Sequence, residues 1–395
     1  MNFENFNFIC DVLINYKEET NIEKNDEIEV SFKPNLKKMS SETQYFTEQQ
    51  SCFTGQQLVN ILKIPAVSVT NKATTIGIIC AYYYKNTISD FKQYWNTNFP
   101  NSVLPNVSMD TSLITNSLIN SNSNSINGDF SIETCLDVQA IATINPAAQI
   151  KVIFANSSSV SDMINAIHYA NTVSNCDIVS FSYGSKESRI TSRSITALET
   201  ELANCVCFCA SSGDNNYVAY PSTSTNAISV GGVTSLWTPN SADNLNVALS
   251  TWHSAGCGYS TLFSTPNFQK DLNKTANRCI PDLVSIANPS TGLNIYCYDN
   301  VNSQGFLSIG GTSLSCPIIV GLISLANQIR LNSNKKVLTT AQVQSFIYNL
   351  NNKNNFIDIV NGTDGVYSTA TGYDVATGMG FPIASVFVTN LSAVV

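Results

Sequence analysis

Beyond residue 50 the chain alternates between two kinds of apolar pattern. Short, nearly unbroken apolar runs occur at TTIGIICAYYY (74–84), KVIFANS (151–157), DIVSFSYG (177–184), CVCFCASS (205–212) and AISVGGV (227–233). Runs of this length, bounded by polar turns, predict strands buried in a parallel sheet. Between them, SVSDMINAIHYANTV (159–173) and TSRSITALETELANC (191–205) space their apolar residues as amphipathic helices do. The alternation predicts a doubly wound α/β layer structure, with helices flanking a mainly parallel central sheet. No internal repeat is apparent.

Two segments stand outside this rhythm. Residues 1–50 hold the strongly charged stretches KEETNIEKNDEIEV and KPNLKK, and are expected to form an extension or a remnant segment ahead of a domain over 51–395. The polar, low-complexity tract TNSLINSNSNSINGD (115–129) predicts a surface loop.

Composition narrows the function. The 395 residues are 43% apolar, enough for a sizeable core, but only 12% charged against a usual share of about 25%. The net charge of −8 argues against a nucleic-acid partner. The N-terminus lacks the basic and apolar regions of a signal peptide, and no apolar run reads as long enough to span a bilayer. The twelve cysteines are scattered without a CxxC pair. Cys205, Cys207 and Cys209 alternate, so they are expected on one face of a strand, as buried thiols rather than as metal ligands.

Candidate chemistry begins at GGTSLSCP (310–317), a small-residue turn that offers the Ser313 hydroxyl at the start of an apolar helical run. A nucleophilic serine needs a base. The two histidines, His168 in NAIHYAN and His253 in STWHSAG, both lack the glycine-flanked strand-end setting that would present one. Carboxylates are better placed. In SIETCLDVQAIATINP (131–146), Glu133 and Asp137 are four apart in a helical pattern, which stacks them on one face. Ile132, Leu136, Ala140 and Ile144 recur every fourth position and suggest that this helix is largely buried. On a buried face two such acids want a shared proton or a cation; on an exposed face they would simply be solvated. A third acid, Asp214, follows the run CVCFCASSG, just beyond the carboxyl end of a strand, where open parallel sheets build their sites.

With these residues in place the sequence resembles the sedolisin family of serine-carboxyl peptidases. Its Ser-Gly-Thr-Ser-x-Ser-x-Pro motif is matched by GGTSLSCP, with Gly310 for the first serine. Its Glu-x-x-Leu-Asp-x-Gln motif is matched at Glu133–Gln139 and its Ser-Gly-Asp turn at Ser212–Asp214. GCGYSTLFSTPNFQ (256–269) and RCIPDLVSIANPSTG (278–292) look like two further family segments, in the family's order. The resemblance implies a subtilisin-like three-layer α/β fold and peptide hydrolysis at acid pH. It implies Ser313 as nucleophile, Glu133 as general base, Asp137 as its proton-sharing partner, and a protonated Asp214 in the oxyanion site. Ser182, Tyr183 and Gly184 are expected as backbone contacts to substrate. FIDIVNGTDGVYSTATGYDVATGMGFP (356–382) resembles the family's calcium loop. One structural calcium is implied there, held by the side chains of Asp358 and Asp374 and the carbonyls of Ile359, Ala370 and Gly372.

The implied partners are peptide or protein substrates, with no nucleic acid and no membrane, acting on a monomer. Two departures are Asn216, where the family has glycine, and the fifty residues before the match, too few for the family's long prosegment. The absent signal and an acidic or secreted location pull in different directions. The residues also leave open a catalytically silent relative used for structure or binding, and a subtilisin-type enzyme with a histidine base.

Overall fold

The computed structural model describes residues 52–115, 128–239, 245–298 and 304–395. The extension expected over 1–50, and most of the polar tract at 115–129, lie outside the described residues. Eight strands form the main sheet: Thr75–Ala81 (β1), Asn106–Asp110 (β2), Gln149–Ala155 (β3), Ile178–Phe181 (β4), Phe208–Ser211 (β5), Ile228–Pro239 (β6), Leu245–Thr251 (β7) and Leu283–Ile286 (β8). Their order is β8-β6-β5-β4-β1-β3-β2, with β7 paired to β6 beside that path. Every pairing is parallel except that of β6 with β7.

Helices cover both faces. In chain order they begin with Gly55–Leu62 (α1), Thr87–Asn98 (α2), Gly128–Ile144 (α3), Val160–Thr172 (α4), Ser192–Asn204 (α5), Thr312–Asn332 (α6) and Thr340–Tyr348 (α7). Because successive side chains of a strand point to opposite faces, β1 divides its apolar residues between two cores. Ile76, Ile78 and Cys80 join the larger core with α3 and α6, whereas Ile79 and Ala81 join the smaller one with α4 and α5. The two predicted amphipathic helices appear as α4 and α5. Each is started by a side-chain cap, Ser159 accepting from the Asp162 N–H at 3.2 Å and Thr191 from that of Ser194 at 3.3 Å.

Two expectations are corrected. The cysteines of CVCFCA do not share a strand face, because Cys205 ends α5 and β5 begins only at Phe208. Cys207 and Cys209 therefore pack into the larger core and Cys205 into the smaller. Second, α6 is long and apolar enough to cross a membrane by length and composition. Its serines and its proline disguise this in the sequence, and the fold buries the helix as the spine of the larger core.

α3 is unusual in being buried on every side. Among its residues only Asp129 is not buried. It packs on the sheet beside α6, with α2 and the hairpin of 293–298 and 304–309 on its other flanks. Gln139 fixes that hairpin from the helix, accepting from the Tyr296 N–H at 2.9 Å and donating to the Tyr296 carbonyl at 2.7 Å.

A buried ion pair braces the far edge of the sheet. Arg278 reaches Asp282 through both terminal nitrogens at 2.7 Å, and neither side chain is exposed. Asp282 also accepts from the Tyr348 hydroxyl of α7 at 2.5 Å and from the Ser229 N–H of β6 at 2.8 Å. Removing one member strands the other charge in the interior. Asp282→Ala is expected to lower unfolding free energy by about 3–5 kcal/mol, read as the shift in guanidinium midpoint. A change below about 1 kcal/mol would show that the pair is not the brace described.

Candidate functional site

The carboxyl edge of the sheet gathers the chain segments that carry the candidate residues. β4 runs out into Ser182, β5 into the turn Ser212-Gly213-Asp214, and α6 starts at Thr312 beside them. α3 brings Glu133 and Asp137 from below. Glu133, Asp137, Asp214 and Ser313 are all buried, at 2%, 0%, 6% and 0% exposure.

Asp214 is held by the first turn of α6. Its Oδ1 accepts from the Thr312 N–H and from the Thr312 hydroxyl, both at 2.8 Å. The same hydroxyl accepts from the Gly213 N–H at 3.0 Å and locks the turn to the helix. Asp214 Oδ2 has no hydrogen-bond partner among the described residues. Gly311 makes the approach possible. Its φ is +103°, and a Cβ there would stand 2.6 Å from Asp214 Oδ2. Gly310 is equally constrained, since a Cβ would meet the Ala287 carbonyl oxygen at 2.2 Å. This backbone leaves no room for the serine that the family motif has there.

Asp137 Oδ1 accepts from the Ser182 hydroxyl at 2.9 Å. Its other oxygen, both oxygens of Glu133 and the Ser313 hydroxyl lack partners among the described residues. The Ser313 hydroxyl still favours the ionised form of Glu133, though the two are not at hydrogen-bond length. Such bonds in unliganded sites are often long and tighten with substrate.

Burial is the main influence on all three acids. It pushes Glu133 well above the usual carboxylate range, helped by the neighbouring charges of Asp137 and Asp214 and opposed by the Ser313 and Ser182 hydroxyls. Asp137 is raised for the same first reason, with Ser182 opposing. These two behave as one pair that keeps a proton between them. Asp214 is raised by burial to about 6, against the pull of its two bonds from Thr312.

The histidines take no part. His168 is largely exposed, with Nδ1 3.1 Å from Glu201, and His253 is exposed on the surface, with Nδ1 3.4 Å from the Thr363 carbonyl. Ser182, Tyr183 and Gly184 lie beside the acids but are themselves buried. The Tyr183 ring packs against Phe181 and Phe130, and its hydroxyl accepts from the Ala81 N–H at 3.3 Å. Thr312 and the side-chain role of Ser182 were not singled out from the sequence. The small-residue run before Ser313 was the signal available for the first. Asn216 sits at φ +52°, a conformation glycine or asparagine tolerates, and donates to the Asp364 carbonyl at 2.7 Å.

The proposed cation loop is assembled in a way that fits a hard ion. Asp358 Oδ2 accepts from the Gly372 N–H at 2.8 Å and Asp374 Oδ2 from the Ala370 N–H at 2.9 Å, so both carboxylates converge on residues 370–372. Among the described residues no donor takes the carbonyl oxygens of Ile359, Ala370 or Gly372. Two carboxylates and free carbonyls on a glycine turn are the donor set calcium takes.

A buried serine at a helix start, with acids around it on the carboxyl edge of a parallel sheet, is the arrangement of a subtilisin-like hydrolase. The family model "Subtilase family" matches residues 81–372, and the chain belongs to that family. Within it the chain is a homologue of sedolisin from Pseudomonas sp. (strain 101), 28% identical over an alignment that covers 78% of this chain and 56% of that protein. Tripeptidyl-peptidase 1 of Dictyostelium discoideum is 31% identical over 32% of this chain and 24% of its own length. The chain thus spans about half, or less, of the curated relatives it matches. A solved structure, Pseudomonas sedolisin (serine-carboxyl proteinase) complexed with two molecules of pseudo-iodotyrostatin, superposes with a TM-score of 0.73 at 24% identity. It covers 87% of this chain and 98% of that one, and so shows the same fold.

The state of Asp214 can be read from stability. Its folded pKa lies above its unfolded value of 3.8, so its favourable contribution is complete below about pH 3.8 and is lost as pH rises through about 6. That interval corresponds to about 3 kcal/mol at most. Asp214→Asn keeps the acceptor for Thr312 and cannot ionise. Its stability relative to the parent is expected to rise across this window and then level off in pH-dependent denaturation. A difference that stays flat with pH contradicts the raised pKa.

Proposed function

We propose that the chain is a serine-type peptidase of the serine-carboxyl kind, cleaving peptide bonds at acid pH as an endopeptidase or a tripeptidyl-peptidase. The observation that carries this reading is the convergence of three buried acids around Ser313 at a site that no histidine approaches. Ser313 Oγ attacks the scissile carbonyl carbon while Glu133 takes its proton, and Asp137 shares that proton and fixes the Glu133 carboxyl. Glu133 then protonates the leaving amine, and water releases the acyl group by the reverse relay. Asp214 stands where the carbonyl oxygen gains charge. Because Thr312 occupies its Oδ1, the proton of the neutral acid sits on Oδ2 and is free to be donated. The backbone of Ser182–Gly184, which follows β4 at the carboxyl edge of the sheet, is assigned to pair with the peptide. Since Ser313 is wholly buried in this structure, substrate entry requires displacement of what lies over it.

The same proposal assigns one structural calcium to Asp358, Asp374 and the carbonyls of Ile359, Ala370 and Gly372. The ion supplies charge compensation that holds residues 358–374 in one conformation.

The chemistry fixes the pH dependence. The oxyanion donor is present only while Asp214 is protonated, so activity is expected to fall as pH rises through about 6. Peptide-library digestion from about pH 3 to about pH 7 measures it, and a maximum near neutrality sinks the reading. Fluorophosphonate labelling should be abolished by Ser313→Ala and reduced about 10²–10⁴-fold by Glu133→Gln, while replacing His168 and His253 leaves it intact. A folded, unlabelled parent chain at every pH would instead identify a catalytically silent relative.

Removal of calcium with EGTA should lower the thermal midpoint. At saturating calcium the ion contributes about 3 kcal/mol when its concentration is about 100 times Kd. The Asp358→Ala, Asp374→Ala double variant should have a lowered midpoint that no longer responds to calcium. An identical calcium response in that variant places the ion elsewhere.

A further inference from the structure

A second buried cluster lies on the opposite side of α3 from the candidate site. Asp90 in the first turn of α2, Cys135 in α3 and Cys297 in the hairpin strand Leu293–Tyr298 bring one carboxylate oxygen and two sulfurs within 4.8 Å of one another. The three residues are 3%, 1% and 0% exposed. Cys135 Sγ lies 3.8 Å from Asp90 Oδ2, and Cys297 Sγ lies 3.8 Å from the Tyr84 hydroxyl. Tyr84 O–H donates to Asp90, as does the Tyr298 N–H at 2.9 Å.

We propose that Asp90, Cys135 and Cys297 form a binding site for a borderline-soft divalent cation of the zinc class, with the Tyr84 hydroxyl facing the fourth position. Zinc lies about 2.3 Å from sulfur and about 2.0–2.2 Å from carboxylate oxygen, so tetrahedral ligand atoms stand roughly 3.5–3.8 Å apart. The Cys135–Asp90 separation already has that value, the other contacts among Asp90, Cys135 and Cys297 need to close by about an ångström at most, and the short Tyr84–Asp90 contact must open by about as much. Thiolate donors select against calcium and magnesium. On binding, the two thiols release two protons to solvent and two S–Zn bonds form, with no change of oxidation state. The Cys135 S–H and Tyr84 O–H bonds to Asp90 Oδ2 then give way to the metal, which leaves the Tyr84 hydroxyl free to turn to the fourth position, while the Tyr298 N–H continues to orient the carboxylate.

The position gives the metal a structural task. Cys135 is two residues from both Glu133 and Asp137, about 200° around the helix, so it points away from them. A metal there ties α2, α3 and the hairpin together and fixes the rotation of α3 from behind. The site does not depend on the peptidase reading, since the Ser313→Ala chain should bind metal as the parent does.

The test is cobalt(II) titration of the whole reduced chain, followed by zinc displacement. Thiolate-to-cobalt charge-transfer bands and the visible bands of a tetrahedral ion are expected to saturate near about one equivalent and to vanish with zinc. Cys135→Ser and Cys297→Ser should each weaken binding by at least about tenfold. Should those variants fail to fold, a zinc-edge anomalous map from crystals of the parent chain decides the matter, with a peak expected among Asp90, Cys135 and Cys297. No charge-transfer band, a peak elsewhere, or a Cys135–Cys297 disulfide that forms in preference to the metal complex would each overturn the assignment.

Discussion

The structure depends on one constraint: three carboxyl groups and a hydroxyl have been taken out of water together. Among the described residues, the groups that act most on Glu133, Asp137 and Asp214 are other acids, hydroxyls and backbone amides, and none is a basic side chain. An uncompensated buried carboxylate is too costly to keep, so such a cluster retains protons instead. This inverts the usual relation between acids and stability. Most folded proteins gain from their ionised carboxylates, whereas this site is at rest only when it is partly neutral. A low overall content of charged residues fits the same regime, because few surface ion pairs are lost as acids become protonated.

Holding the acids in place falls to two buried helices. α3 carries Glu133 and Asp137, α6 presents Ser313, and the two pack directly against each other. Gly321 of α6 lies so close to Ile144 of α3 that a Cβ would come within 2.6 Å of it. That contact sets the separation of the helix axes away from the site, as Gly311 sets the approach of Asp214 at the site. Since both helices are buried along nearly their whole length, their positions are fixed by close packing on all sides. The relative placement of the acids and the hydroxyl is therefore a property of the core.

The layer structure could be read from the sequence because buried strands and amphipathic helices have different periods. β1, β3, β4, β5, the start of β6 and helices α4 and α5 all fall on runs recognisable by pattern. β2, NVSMD, escaped because it is an edge strand without an apolar run, and β7, LNVALST, because its apolar run is only three residues long. The Cys205 error has a related cause. Alternation alone does not reveal where a helix hands over to a strand, and the chain turns the corner inside that motif. Of the site, the acids and the serine were legible as motifs, but the grip of Thr312 on Asp214 and of Ser182 on Asp137 was not. Short hydroxyl residues are common here, and only tertiary contact picks out the two that matter. The pairing of Cys135 with Cys297 was equally hidden, since 162 positions separate them and no local spacing links them.

The turn that carries Asp214 and the loop proposed to hold a cation are physically joined, and this joins their behaviour. Asn216, two residues beyond Asp214, donates to the Asp364 carbonyl, while the Cys257 thiol donates to the Asp364 carboxylate at 2.9 Å. Gly256, next to Cys257, donates to the Gly213 carbonyl at 2.7 Å, and the Thr251 N–H is taken by the Asn361 carbonyl at 3.0 Å. Residues 361–364 thus hold the turn of Asp214 from one side as Thr312 holds it from the other. The loop that contains them is turn-rich, with positive φ at Gly362, Gly365 and Gly372, and has little regular structure of its own. Such a segment keeps one conformation only when something outside its backbone fixes it. Asparagine at 216 adds a tether that glycine could not make, so the departure from the family pattern tightens the coupling between loop and turn. On the proposed reading, a cation bound at 358–374 would thereby act on Asp214 without touching it, through the orientation of its turn.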